Sequence, residues 1–371
     1  MDLNDSQDEA AFRARLRHWL TQQPPDQGQA DRAAVRAFSG ALHAAGFAGV
    51  TWPVEHGGAG LSAAFDAVFI EEIARAGRED HLGVIGLGMV GPAIAAFGTD
   101  AQKRHYLPRI LCGDMQFCQG FSEPDAGSDL ASLRTSALID TNHVQVNGHK
   151  VWSTFAPLAD HCLLLARSTP GSSGHRGLTC LLVDLNTPGV EVRPLHQLTG
   201  EERFGELLFT DVRVPLDAVL GSVGAGWRVA MTTLAHERGS FGIRLTATLT
   251  RDFDRLRALV RELGRDRDPV VRDRVASLWV EVAQLRWAAL RMLGDTPGPG
   301  SSIVKLRWAE TDQRIAEFAV ELLADEAAVG ESYRYWTQQR FRSRGSSIEG
   351  GTSEVLRDVL AERVLELPRT R

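Results

Sequence analysis

The period of the apolar residues changes twice along this chain, which restricts it to an order of helices, then strands, then helices. From residue 8 to about 111 they recur at helical spacing, as in Phe12, Leu16, Trp19 and Leu20 and then Val35, Phe38, Leu42 and Phe47. From 113 to about 215 the pattern becomes short alternating or apolar runs between turn residues, at 143–146, 162–165, 178–183, 190–192 and 207–209. Within this stretch Asn147-Gly148 predicts a two-residue type I′ hairpin turn, since both central positions need positive φ. Beyond Gly226 the helical period returns, interrupted by the Gly- and Pro-rich segment 294–300. A chain of 371 residues can bury cores for two or three units. The expected class is α+β, with an N-terminal helical domain over 1–112, a middle β-barrel domain over 113–222 and a C-terminal helical domain over 223–371.

Several function classes fall away on composition. The formal charge of −6 is spread over both signs without a basic block, which argues against nucleic acid as a partner. No apolar run approaches the length that spans a bilayer, so no membrane insertion is expected. Asp2, Asp5, Asp8 and Glu9 occupy the place where a secretory signal would be basic and then apolar. Cys112, Cys118, Cys162 and Cys180 have no C-x-x-C spacing and are expected to be free thiols in a reducing cytoplasm. Gly86-Leu87-Gly88-Met89-Val90-Gly91 spells the dinucleotide fingerprint G-x-G-x-x-G. That fingerprint needs a strand before it and a strand ending in an acidic residue about twenty positions later. Here both flanks read as helix, so the expectation is close helix packing at small residues.

Three segments carry candidate chemistry. The first is Phe121-Ser122-Glu123-Pro124-Asp125-Ala126-Gly127-Ser128-Asp129, which follows an apolar run and reads as an exposed strand end or an ordinary Pro-Gly turn. Next comes Trp152-Ser153-Thr154, where period-two alternation puts a ring and a hydroxyl on one face; a tryptophan buried in a sheet core is the plainer reading. The third is Glu349-Gly350-Gly351-Thr352-Ser353-Glu354, a glycine helix stop followed by a capping Thr or Ser.

In this order, together with Trp52-Pro53 and Gly57-Gly58 in a loop at 51–62, these segments resemble the acyl-CoA dehydrogenase family. Its members are flavoproteins that desaturate an acyl thioester between its alpha and beta carbons. The resemblance covers nearly the whole chain and implies FAD as cofactor. On it, Phe121, Ser122, Ser128, Trp152, Thr154, Gly351, Thr352 and Glu354 contact the flavin cofactor. Ser128 also meets the CoA pantetheine arm, and Arg238 and Gly350 join it at the substrate, with the Gly350 N–H holding the thioester carbonyl. The alpha proton needs a carboxylate base and the beta hydrogen leaves as hydride to flavin N5. Many relatives place the base immediately before the Gly-Thr-Ser run, where this chain has Gly350. Others place it on the helix opening the C-terminal domain, and there His236-Glu237-Arg238 stands, making Glu237 the expected base and Glu349 the competing candidate. Burial would raise the pKa of such a base.

The resemblance also has gaps. Ser153 stands where isoleucine is common. The Arg-x-x-Phe-Gly segment that relatives use on a neighbour's FAD is replaced by Gly264-Arg265-Asp266-Arg267-Asp268-Pro269. Arg238-Gly239-Ser240-Phe241-Gly242 spells that motif about seven helical turns too early, at about 3.6 residues per turn, and no Gln-x-x-Gly-Gly follows between Ser301 and Gly350. These gaps imply a second, unlike acyl-CoA dehydrogenase subunit, or else a homo-oligomer in which Arg265 or Arg267 covers the phosphates. A catalytically silent subunit, and a dehydrogenase acting on an acyl-carrier-protein thioester, stay open beside the acyl-CoA reading. Electron-transferring flavoprotein is the redox partner that the family implies.

Overall fold

The computed structural model describes residues 4–24, 31–78, 83–294, 301–324 and 330–368; the side chains of 235–241, 294 and 301 lie outside the description. Helices α1 (Gln7–Thr21), α2 (Arg32–Ala44), α3 (Ala63–Arg75), α4 (Gly91–Phe97) and α5 (Asp100–Leu111) precede the strands. These are β1 (Phe117–Gly120), β2 (Ser136–Ile139), β3 (His143–Thr154), β4 (His161–Arg167), β5 (Leu178–Asp184), β6 (Val190–Leu195), β7 (Phe204–Pro215) and β8 (Val219–Leu220). Helices α6 (Gly226–Glu262), α7 (Pro269–Arg291), α8 (Ser301–Ala324), α9 (Glu331–Ser346) and α10 (Ser353–Arg363) follow. Two compact units form, and they do not follow chain order. One gathers α2, α4, α5, the strands and α6 through Glu237; the other gathers α1, α3, the rest of α6 and the later helices.

In the first unit the strands make one sheet in the order β6-β7-β3-β2-β4-β5-β8, with β1 added parallel to β4. Hydrophobic side chains leave this sheet on both faces. Cys118, Cys162, Leu164, Val146 and Leu207 share one core, while Phe117, Phe121, Leu163 and Leu165 belong to another that includes Met89, Val90 and Ile94. Helix α5 is held to the sheet connection by a side chain that also closes its cap. Gln102 receives and returns the capping-box bonds of Thr99, and its Nε2 donates to the carbonyls of Asp217 (2.7 Å) and Val219 (3.0 Å). On the other side Asp160 accepts from the Gln116 N–H at 2.9 Å and from Arg36 at 2.8 Å, tying α2 to the start of β1.

The expected hairpin turn at Asn147-Gly148 is not there. Strand β3 runs straight through both residues, and the turn from β2 lies earlier, where the Asp140 N–H donates to the His143 carbonyl at 2.9 Å. Asn147-Gly148 instead forms an irregularity against β7, where the register shifts between Val146 and Gly148. The Asn147 Oδ1 accepts from the Asp211 N–H at 2.8 Å, and a Cβ on Gly148 would fall 2.7 Å from the Thr135 Cα. The same dipeptide that suits a tight turn also suits a bulge with a close backbone neighbour, and strand pairing on both sides selects the bulge.

The G-x-G-x-x-G segment is a π-helical turn, Gly86–Val90, that runs into α4, so helix packing explains it. Its last glycine makes a slot for the ring of Trp52, whose Nε1 donates to the Leu87 carbonyl at 3.0 Å. A Cβ on Gly91 would sit 2.0 Å from the Trp52 Cζ2.

In the second unit α1 is capped by a reciprocal Ser6–Glu9 box. Arg13 and Arg17 both bind Glu72 of α3, and Arg286 of α7 binds Glu71, so acidic residues of α3 join an early and a late helix. Ala67 of α3 shares a core with Phe253, Leu256, Leu285 and Phe318. Each fully buried large side chain there contributes about 1.5–3 kcal/mol. Phe253 is almost fully buried and stacks on Trp279 at 5.5 Å.

Replacing Gly91 by Ala weighs a helix-propensity gain of about 1 kcal/mol against overpacking of about 1–3 kcal/mol. The ring cannot retreat without losing its bond to Leu87, so Gly91→Ala is expected to lower stability by about 1–2 kcal/mol in urea unfolding. A variant as stable as the parent would show that the slot yields freely.

Candidate active site

The Phe121–Ser128 segment is built on a buried ion pair that the sequence reading did not include. Lys150 of β3 is fully buried, and its Nζ donates to the Phe121 carbonyl at 2.9 Å and to Glu123 Oε1 at 2.8 Å. Glu123 accepts two more bonds, from the N–H groups of Arg134 and Thr135, each at 2.8 Å. Burial pushes the Glu123 carboxyl up, but the Lys150 charge and these donors outweigh it and hold it below the usual carboxylate range. For Lys150 burial prevails over the Glu123 charge and lowers its pKa. The Val151 N–H donates to the Ser122 carbonyl at 2.9 Å, and Glu123 and Ala126 exchange backbone bonds of 3.0 and 3.1 Å around Pro124-Asp125. The turn is therefore fixed from beneath while Gly127 and Ser128 stay exposed.

Immediately after Lys150, β3 bulges. Lys150 pairs with Leu207 and Ser153 with Gly205, so Val151 and Trp152 both stand opposite Glu206. Trp152 adopts φ +61° and Phe155 φ +58°, left-handed conformations that bulky residues rarely take. Each costs on the order of 1–3 kcal/mol, and such strain gathers at functional sites. The outcome is a large aromatic ring held outward: Trp152 is 62% exposed, steadied edge-on by Phe204 at 6.1 Å. Val151 and Ser153 are buried on the other side and Thr154 is half-buried. Trp152 is thus not a core tryptophan.

The Gly350–Glu354 segment, within the second unit, forms by different means. After α9 the chain turns through Gly350 at φ +63° and Gly351 at φ +104°, conformations open to glycine at little cost. Thr352 then caps α10, its hydroxyl accepting from the Val355 N–H at 3.2 Å. Lys305 of α8, 5% exposed, donates to the Gly351 carbonyl at 2.7 Å and so sets the turn from behind. Burial lowers the Lys305 pKa against the opposing charges of Glu349 and Glu354. Glu349 itself is gripped by Arg342, whose NH2 lies 2.9 and 2.8 Å from its two carboxylate oxygens. A carboxylate held this way is a structural partner more than a free base. Glu237 and Arg238 fall within helix α6, but their side chains lie outside the described residues.

Lys150, Lys305 and Arg342 are what the sequence reading missed, and each supports a segment that it had singled out. For Lys150 and Lys305 the available signal was a charge inside a strand or helix interior, which marks a residue needing a buried partner; Arg342 lies in a basic run and gives no such signal.

Comparison with known proteins places this arrangement. The acyl-CoA dehydrogenase N-terminal domain matches residues 6–114, the middle domain 118–212 and the C-terminal domain 224–365. Acyl-CoA dehydrogenase IpdE1 of Mycobacterium tuberculosis is 38% identical, over 98% of this chain and 99% of its own. Among solved structures, the Tcur3481–Tcur3483 steroid ACAD is similar at TM-score 0.91 and 28% identity, and the ChsE4–ChsE5 complex from Mycobacterium tuberculosis at 0.88 and 28%; each comparison covers both chains in full. The chain belongs to the acyl-CoA dehydrogenase family. It is an oxidoreductase on the family fold, and its reaction is acyl-CoA dehydrogenation. No helix is long and apolar enough to cross a membrane among the described residues.

Lys150→Met strands the Glu123 carboxylate with backbone donors only, and is expected to cost about 3–5 kcal/mol. Adding Glu123→Gln should recover part of that loss, a coupling that a double-mutant cycle in urea measures directly. Because the folded Glu123 pKa is lowered, its contribution is present above the unfolded glutamate value and fades as pH falls through the folded one. Additive losses at neutral pH would contradict the pairing.

Proposed function

We propose that this chain is an FAD-dependent subunit of a heteromeric acyl-CoA dehydrogenase whose acyl group is a steroid or steroid fragment. The observation that carries the FAD reading is Trp152, an exposed ring fixed in a strained bulge beside a segment held by Lys150 and Glu123. An apolar plane of this kind suits a flavin ring, and the Phe121–Ser128 backbone and Thr154 suit its polar edge. Gly351, Thr352 and Glu354 would take the cofactor at the capped start of α10, where a helix N-terminus favours negative charge. When bound, FAD supplies the acceptor for the beta hydrogen.

Glu237 is the proposed base for the alpha proton. The support is by exclusion and by position: Gly350 has no side chain to offer, Glu349 is engaged by Arg342, and Glu237 lies in the first half of α6. The Gly350 N–H is proposed to hold the thioester carbonyl as charge develops on it, which requires no side chain. Ser128 and Arg238 complete the proposed substrate contacts.

The steroid and heteromer readings rest on two supports. Two of the similar structures are described as the Tcur3481–Tcur3483 steroid ACAD and as the ChsE4–ChsE5 complex, and this chain lacks the motifs with which relatives clamp a neighbour's FAD. An electron-transferring flavoprotein is the proposed acceptor of the electrons and a reducing cytoplasm the proposed compartment; the four cysteines are free thiols.

Anaerobic addition of a steroid acyl-CoA to the co-purified complex is expected to bleach the flavin. Glu237→Gln should retain its flavin and bleach about 10²–10⁴-fold more slowly, the usual contribution of a positioned base. An unchanged rate would identify this chain as a silent subunit. One tight FAD per subunit in the chain purified alone would remove the heteromer from the proposal.

A further inference from the structure

The sheet carries an amide that the protein leaves without a partner. Gln119 Nε2 is sealed from solvent and takes no hydrogen bond among the described residues. A buried donor in that condition costs about 1–3 kcal/mol, and each such group asks for an explanation.

Its direction follows from the strand. Gln119 stands beside Leu163 in the parallel β1–β4 register, and Cys118 beside Cys162. Cys118 and Cys162 belong to the core on one face, and a Cβ on Gly120 would meet Cys162 Sγ at 2.7 Å on that same side. Alternation therefore turns Gln119 to the opposite face, with Phe117, Phe121, Leu163 and Leu165. That face is otherwise largely apolar, with His161, whose ring lies against Phe117 and Tyr106, as a second polar group on it. Met89 and Val90 pack into it, and so do Trp227, Met231 and Leu234 from the start of α6, the last of these one turn before Glu237. It is also two residues from Phe121, where the Lys150-held segment begins.

We propose that Gln119 is a ligand-contacting residue of this enzyme, donating from Nε2 to a carbonyl oxygen of a bound molecule on this face. The chemistry is that of a neutral amide donor in a largely apolar wall, which selects for a carbonyl and against bare hydrocarbon. Two bound molecules could present it: the flavin ring or the acyl group. The inference rests on the flavoenzyme reading above and refines which residue reads the ligand.

Gln119→Met keeps the length of the side chain and removes the donor. In the complex without added ligand its melting temperature should equal or exceed that of the parent, because an unpaired polar group has been removed. Two titrations then separate the sources: FAD followed by fluorescence quenching, and a steroid acyl-CoA bearing a ring ketone followed by the perturbation of the flavin spectrum. A rise of about three- to tenfold in the FAD dissociation constant alone, the size of one neutral hydrogen bond, assigns the bond to the flavin. A similar rise for the acyl-CoA alone assigns it to the acyl group. Parent-like values in both titrations would overturn the inference while leaving the flavoenzyme reading intact. A parent complex that took up no FAD would overturn that reading and this inference with it.

Discussion

The buried pair of Lys150 and Glu123 is the interaction on which the middle of this molecule depends. It joins β3 to the turn that follows β1, supports that turn, and lies directly before the bulge that turns Trp152 outward. A buried ion pair is weak evidence for stability, since desolvation offsets most of the attraction. Its value here is geometric. Lys150 has two acceptors and Glu123 has bonds from three donors, so the pair has one well-satisfied arrangement and the segment above it has one shape. Energy spent on desolvation and on two left-handed bulky residues is concentrated within a few residues of the proposed flavin plane.

The second unit reaches a comparable end differently. There a buried lysine holds a backbone carbonyl, two glycines supply the conformations that the turn needs, and a threonine caps the next helix. Arg342 takes Glu349 out of reach as a free carboxylate. Both segments thus present backbone groups shaped by charged side chains behind them, an arrangement suited to recognising a polar ligand edge.

Much of this was legible in the sequence, and what was not has physical reasons. The order of helices, strands and helices follows from apolar periodicity, a local signal. The discarded dinucleotide fingerprint was recognisable because its flanks had the wrong period. Asn147-Gly148 misled because positive-φ residues serve bulges as well as turns, and only the strand partners on either side decide between them. Lys150 and Glu123 are 27 residues apart, and no local pattern joins them. Lys305 and Gly351 are separated by 46. Trp152 stands out in the sequence for its ring, but its left-handed backbone arises from a bulge that no property of tryptophan announces. Motifs marked the places; the partners that shape them came from tertiary pairing.

The central claim is that Trp152 is the plane on which the flavin ring rests, and fluorine NMR of the 5-fluorotryptophan-labelled complex tests it most directly. The Trp152 resonance is identified by its loss in Trp152→Phe and then followed as FAD is added. The account predicts that this resonance shifts on saturation, since a second aromatic system is brought against the ring. A Trp152 resonance unmoved while FAD binds stoichiometrically would contradict it and place the cofactor elsewhere on the sheet.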